Sequence, residues 1–212
     1  MRKLRIMEHI SLDGVIEIAS GPGQDSGFPY GDWTSPYRSP AGLQIVTGLY
    51  GERFDVLLGR RTYDQWSGFW PTAPQSPMAD RLNAATKYVV THRPESLAWG
   101  PFQGLPTPAK TQGEPLPTAS SAELLDAVRT LKASEGPDLV VSGSSTLTSM
   151  LFEHGLVDEL ILLVNPVLLG KGKRLFADGT PPRSFTLAGT QSLPSGILIN
   201  RYNLAGPLLN LK

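Results

Sequence analysis

Asp55-Val56-Leu57-Leu58-Gly59-Arg60-Arg61-Thr62-Tyr63 is the stretch on which the fold turns. Its first half is a short apolar run with no polar alternation, as in a strand buried on both faces. The run stops at Gly59, and a short helix is expected from Thr62 to about Trp66. Lys87 to Thr91 is a β-branched strand that ends before Pro94. Asp138 to Ser142 is another buried strand, followed by a Gly143-Ser144-Ser145 turn and a helix from Thr146 to His154. Gly155 closes that helix as a left-handed cap. Glu159 to Val164 is a further interior strand.

Upstream, Leu4 to Ser11 reads as the first strand, with Leu4, Ile6 and Ile10 on one parity. Asp13-Gly14 marks a turn, and Gly21 to Pro36 is a long irregular loop of the kind that often carries function. Ser39-Pro40 opens an amphipathic helix to about Arg53, its apolar face built from Leu43, Val46, Leu49 and Tyr50. Met78 to Ala85 adds a helix, and Ser120 with Glu123 forms a capping box for another. Pro101 to Pro117 lacks periodicity and is read as a surface insertion. Ser184 to Leu187 and Gly196 to Tyr202 form a terminal antiparallel pair. The expectation is one α/β domain over residues 1–212: a mostly parallel sheet, an antiparallel C-terminal edge, and helices on both faces.

Composition narrows the chemistry. The 212 residues include no cysteine, which excludes disulfides, thiolate nucleophiles and cysteine-ligated metals. It suits a cytoplasmic setting. Nineteen Lys and Arg balance nineteen Asp and Glu, so a nucleic-acid partner is not expected and any anion must be met by a local cluster. Glu8, His9 and Asp13 interrupt the apolar core an N-terminal signal would need, and no run approaches membrane-spanning length. The three histidines are scattered, so no metal site is expected.

Three strands end in a polar or glycine turn: Leu58 into Gly59, Val90 into Thr91, and Ser142 into Gly143. In a parallel α/β sheet, ligands bind at the carboxyl ends of the strands, where helix N-termini attract phosphate. Taken singly, Arg60 and Arg61 read as solvated or paired with Asp64, and the other two turns as an ordinary strand exit and helix entry. Together, on successive strand ends, they point to a phosphorylated ligand. Gly170-Lys171-Gly172 lacks a third glycine and reads as a turn.

Six segments, in order over nearly the whole chain, carry a family resemblance. They are Ser11 to Ile16, Asp55 to Tyr63, Lys87 to Thr91, Leu139 to Leu147, Gly155 to Leu160 and Asn165 to Phe176. The chain resembles the dihydrofolate reductase superfamily, and within it the branch shared with the C-terminal reductase domain of the bacterial riboflavin-biosynthesis deaminase/reductase. That resemblance implies NADPH lying across the sheet. Gly59, Arg60, Arg61 and Thr62 would meet cofactor phosphates; Thr91, His92 and Arg93 the adenosine ribose and its 2′-phosphate; Gly143, Ser144, Ser145 and Thr146 the diphosphate. The backbone near His9 and Ile16 would face the nicotinamide, and a non-proline cis peptide would lie beside Gly143. The branch also implies a homodimer.

Two departures qualify the expected activity. Classical dihydrofolate reductases place a carboxylate on the first helix, where this chain has Leu43-Gln44, and the cysteines that the riboflavin enzyme's zinc deaminase signature needs do not occur in these residues. The expectation is an NADPH-dependent oxidoreductase acting on a pteridine- or pyrimidine-like heterocycle or a carbonyl. The alternatives are a reductase of the 5-amino-6-(5-phosphoribosylamino)uracil type, or a dimeric nicotinamide-nucleotide-binding protein without turnover. Asp13, Gln44 and Tyr63 are the candidates for catalysis, with Gln44, Tyr63 and Trp66 as walls of the substrate space. Trp33, Trp66 and Trp70 could stack on a flat ring or simply pack the loops.

Overall fold

The computed structural model describes residues 1–19, 27–91, 98–105, 118–176 and 178–208, without the side chains of 102–105 and 118–121. Eight strands form one sheet: β1 (Leu4–Ile10), β2 (Phe54–Gly59), β3 (Lys87–Val90), β4 (Phe102–Leu105), β5 (Asp138–Val141), β6 (Glu159–Val164), β7 (Arg183–Ser192) and β8 (Leu198–Pro207). Their order is β4-β3-β2-β5-β1-β6-β8-β7. β1 to β6 are parallel, and β8 runs antiparallel to both β6 and β7.

The apolar runs are buried for the reason their composition suggests. Every residue of β2 is buried, because helices cover both faces there. α1 (Pro40–Tyr50), α2 (Arg60–Ser67) and α3 (Pro77–Ala84) supply Tyr50, Tyr63 and Leu82 to one core, against Val56, Leu58 and Val140. α4 (Thr118–Ala133) and α5 (Ser145–Glu153) supply Leu124, Val128 and Leu151 to the other, against Leu4, Ile6 and Leu139. Each such side chain contributes roughly 1.5–3 kcal/mol on full burial. A smaller cluster of Val15, Phe28 and Trp33 ties the loops after β1 to Val167 and Leu169.

Four sequence expectations need correction. Phe102 to Leu105 is not part of an insertion; it pairs in parallel with β3 as the edge strand. The residues from Pro106 to Pro117 lie outside the described chain. α4 begins at Thr118, so Ser120 sits inside its first turn and is not the N-cap of a capping box. Leu43 is about half exposed, since α1 turns Thr47 and Tyr50 inward instead. No cis peptide occurs among the described residues; the turn after β5 is made by two successive left-handed residues, Gly143 at φ 73° and Ser144 at φ 61°.

Charge divides the two ends of the sheet. At the amino-terminal edge Arg2 pairs with Asp55, Lys132 with Asp158, and Glu159 with both Arg5 and Arg201. These pairs fix the starts of β1, β2 and β6. The carboxyl edge is built differently.

Candidate active site at the carboxyl edge of the sheet

β1 pairs with β5 only from Leu4 to Ile6, but with β6 all the way to Ile10. Met7 to Ile10 therefore have no strand neighbour on the β5 side, and the sheet opens there. The connection from β1 runs through α1 towards β2, while that from β5 runs through α5 towards β6, with the two helices on opposite faces. Such a point, where neighbouring strands feed helices on opposite faces, is where open α/β sheets form their ligand crevice.

Two helix starts meet at this crevice. α2 starts after Gly59 and α5 after Ser144, and neither N-cap residue has a side chain bonded to the first turn. Away from the crevice, Ser39 caps α1 and Ser76 caps α3, each hydroxyl accepting a first-turn N–H. The leading amides of α2 and α5, such as those of Arg60, Arg61, Ser145 and Thr146, have no helical acceptor and attract an anion.

The two turns interlock. A Cβ on Gly59 would lie 2.7 Å from Ser144 Cβ, and one on Gly143 would lie 2.6 Å from Thr62 Oγ1. Glycine is thus required at both positions by close approach, and at Gly143 by its positive φ as well. Thr62, read as a phosphate ligand, is buried as the wedge between the turns. Arg60 donates from Nε to Asp64 at 2.8 Å and from Nη1 to Thr91 Oγ1 at 3.3 Å, linking the ends of β2 and β3. Arg61 is exposed and makes no ion pair among the described residues. Thr91 is buried at the end of β3, and His92 and Arg93 lie outside the described residues. Ser144 and Ser145 are half-buried and Thr146 is exposed.

Other candidates fall in three places. Asp13 binds the loop after β6: its carboxylate accepts from Ser11 Oγ at 2.7 Å, Leu169 N at 3.1 Å and Gly170 N at 2.8 Å. These donors, Ser11 first, hold its pKa down at about 2. Ile16 donates its N–H to Lys173 O, pinning the same loops. Trp33 is buried in the loop cluster and donates its indole N–H to Glu17 O at 2.7 Å, so it packs the loops. Gln44 is exposed on α1. Tyr63 lies elsewhere: its buried hydroxyl accepts from Ala98 N and Trp99 N at 2.9 and 2.7 Å, beside a shallow depression. Trp66 and Trp70 pack edge to face 6.2 Å apart against the α1–α3 core.

Two residues passed over in the sequence are buried around the end of β1, Glu8 at the crevice and Asn165 on the β6 side. Glu8 is buried on β1, one of its oxygens accepting the Gly143 N–H. Burial pushes its pKa up to about 8 against the opposing pull of that hydrogen bond. Its parity is that of Leu4, Ile6 and Ile10, a signal legible in the sequence. Asn165, after β6, is fully buried; its amide donates to Leu163 O at 2.8 Å and lies 3.3 Å from His9 Nδ1. Its Oδ1 has no hydrogen-bond partner among the described residues. Burial first, then Arg38, lowers the His9 pKa to about 4, so the ring is neutral at pH 7. With Nδ1 accepting from Asn165, Nε2 carries the proton.

This sheet order, with its crevice between β1 and β5 and an antiparallel C-terminal ribbon, defines an α/β fold of the dihydrofolate reductase class. It superimposes on a dihydrofolate reductase from Enterococcus faecalis, solved as a complex with NADP(H), with a TM-score of 0.56 at 13% identity over 96% of each chain. The family is narrower: the chain belongs to the RibD C-terminal domain family, which matches residues 2–199. A pyrimidine reductase-like protein from Corynebacterium diphtheriae superimposes with a TM-score of 0.63 at 15% identity, over 96% of this chain and 92% of that one. A diaminohydroxyphosphoribosylaminopyrimidine deaminase/5-amino-6-(5-phosphoribosylamino)uracil reductase from Thermotoga maritima gives 0.63 at 14% identity over 96% of this chain, which spans 57% of that one. The uncharacterized protein YwjB of Bacillus subtilis is 25% identical over 199 residues, covering 94% of this chain and 97% of its own.

Among the described residues no helix is long and apolar enough to cross a membrane, and no group of His, Asp and Glu could hold a metal.

Proposed function

We propose that this chain is an NADPH-dependent reductase that transfers a hydride to a small heterocyclic or carbonyl substrate at the β1/β5 crevice. The observation that carries the proposal is the opening of the sheet beside Met7–Ile10, flanked by two uncapped helix starts. Family membership and the neighbours' printed activities support it. Bound NADPH would supply the hydride; the protein binds, orients and excludes water. The amides of Ser145 and Thr146 would face the diphosphate, and Arg61 would offer an exposed guanidinium to a phosphate. The unpaired β1 edge near His9 would receive the nicotinamide ring. His9, neutral with its proton on Nε2, would give the substrate a hydrogen bond and not a charge. A pteridine- or pyrimidine-like compound, with ring carbonyl and nitrogen acceptors, suits that donor.

Titration of the protein with NADPH, followed by tryptophan fluorescence, tests the cofactor reading: saturable quenching is expected, weakened about tenfold in Arg61→Ala, roughly one charge-assisted hydrogen bond. Absence of saturable binding would overturn the reading. NADPH oxidation against pterins, aminopyrimidines and quinones then tests turnover. Binding without oxidation across that panel would favour the nucleotide-binding reading, for which the absence of an acid on α1 speaks.

A further inference from the structure

We infer that Glu8 is a positioning residue of the crevice that must carry its proton for a dinucleotide to bind, so that cofactor binding takes up a proton; this rests on the cofactor reading above. The geometry comes first. Glu8 lies on the central strand, buried, and accepts the Gly143 N–H at the turn that launches α5. That amide is thereby withdrawn from any ligand and the turn is held in its two-residue left-handed form. An anion at the α5 N-terminus and an ionised Glu8 would draw on the same few donors from opposite sides. Two negative charges cannot share that low-dielectric space without cost, so the carboxyl keeps its proton when the anion arrives.

Among the described residues no cation is paired with Glu8 in compensation. From β1 itself, Arg5 and His9 have the opposite parity, Arg5 bound to Glu159 and His9 uncharged. From β6 and β5 the ionisable groups are Glu159 and Asp138, both at the far end of their strands. From α1 the facing group is Tyr50, whose hydroxyl lies 3.4 Å from Ser142 Oγ and whose pKa burial raises to about 12. From α2, Arg60 is paired with Asp64 and Arg61 is exposed to solvent, where its charge is screened, and α5 has no ionisable residue before Glu153. Burial without a counter-charge keeps a carboxyl neutral, in line with its raised pKa of about 8.

The test is calorimetry of NADPH binding to the whole chain at about pH 8 in two buffers of different ionisation enthalpy, with affinity followed from about pH 7 to 9. The ligand's own phosphates are ionised throughout that window. Proton uptake approaching about half a proton is expected at the midpoint, with affinity falling about tenfold across the range. In Glu8→Gln, which keeps an oxygen for Gly143, uptake disappears and the fall shrinks below about twofold. Lys87 also titrates near pH 8, but at the start of β3, and the variant comparison subtracts it. If the wild type takes up no proton, or Glu8→Gln keeps the wild-type pH profile, the inference is overturned while the cofactor reading stands. If NADPH fails to bind at every pH, both fall. The two-buffer measurement needs only the native chain, so poor folding of the variant leaves the inference exposed to refutation.

Discussion

Asp13 holds the turn after β1 against the loop after β6 by accepting two backbone amides and the Ser11 hydroxyl. Hydrogen bonds to a charged acceptor are the stronger kind, but this carboxylate is half-exposed and solvent screens part of their worth. Asp13→Asn is expected to cost about 1 kcal/mol in urea-induced unfolding, an effect a purely catalytic aspartate would not show. The sign with pH follows from its lowered pKa. The contribution is present above the ordinary value of 3.8 and is lost as pH falls towards 2. An unchanged unfolding midpoint in Asp13→Asn, with turnover abolished, would restore Asp13 as a reaction-centre residue.

The helix starts divide into two kinds, and that division predicts losses of different size from the same substitution. Ser39→Ala removes a hydroxyl that accepts the Gly42 N–H at 3.0 Å and should cost about 1 kcal/mol. Ser144→Ala removes no cap bond, and thermal unfolding should detect at most a few tenths of that. Gly143→Ala should cost more than either, about 2 kcal/mol or beyond, because its Cβ would strike Thr62 while φ stays positive. Equal losses at Ser39 and Ser144 would contradict the open start of α5. These elements were largely legible beforehand. The Ser39-Pro40 start, the strand ending at Gly59 and the Gly143 turn each rest on local steric and capping rules that the sequence states directly. β4 was not legible, since four residues in a proline- and glycine-rich stretch gain strand character only by pairing with β3. Glu8 shares the apolar parity of β1, but its contact with Gly143 depends on where β5 stops and how that turn runs, which is set by partners about 135 residues away in the chain.

Three ionisable groups, Glu8 and Lys87 buried and His9 half-buried, together set how the whole chain should respond to pH. Glu8, raised from 4.5 to about 8 chiefly by burial, makes the folded chain bind more protons than the unfolded one in that window, so its effect lowers stability as pH rises through it. His9, lowered from 6.5 to about 4, chiefly by burial and then by Arg38, acts in the opposite sense between those values. The two slopes oppose one another below pH 6.5, leaving the Glu8 limb alone between 6.5 and about 8. Lys87, fully buried with its ammonium 4.3 Å from the Trp99 ring centre, is lowered from 10.5 to about 8, mainly by burial and against the pull of Asp55. From 8 upward the unfolded chain holds the extra proton, so stability climbs again. The expected profile is a minimum near pH 8, each limb no steeper than about 1.4 kcal/mol per pH unit for one proton. Thermal unfolding from about pH 6 to 9.5 checks it. Glu8→Gln should flatten the acid-side limb and Lys87→Met the alkaline one, each leaving the other in place because β5 and β2 lie between the two strands that carry them. A melting temperature that rises steadily from pH 6.5 to 8 would show that Glu8 is ionised in the native chain, with a cationic partner to keep it so.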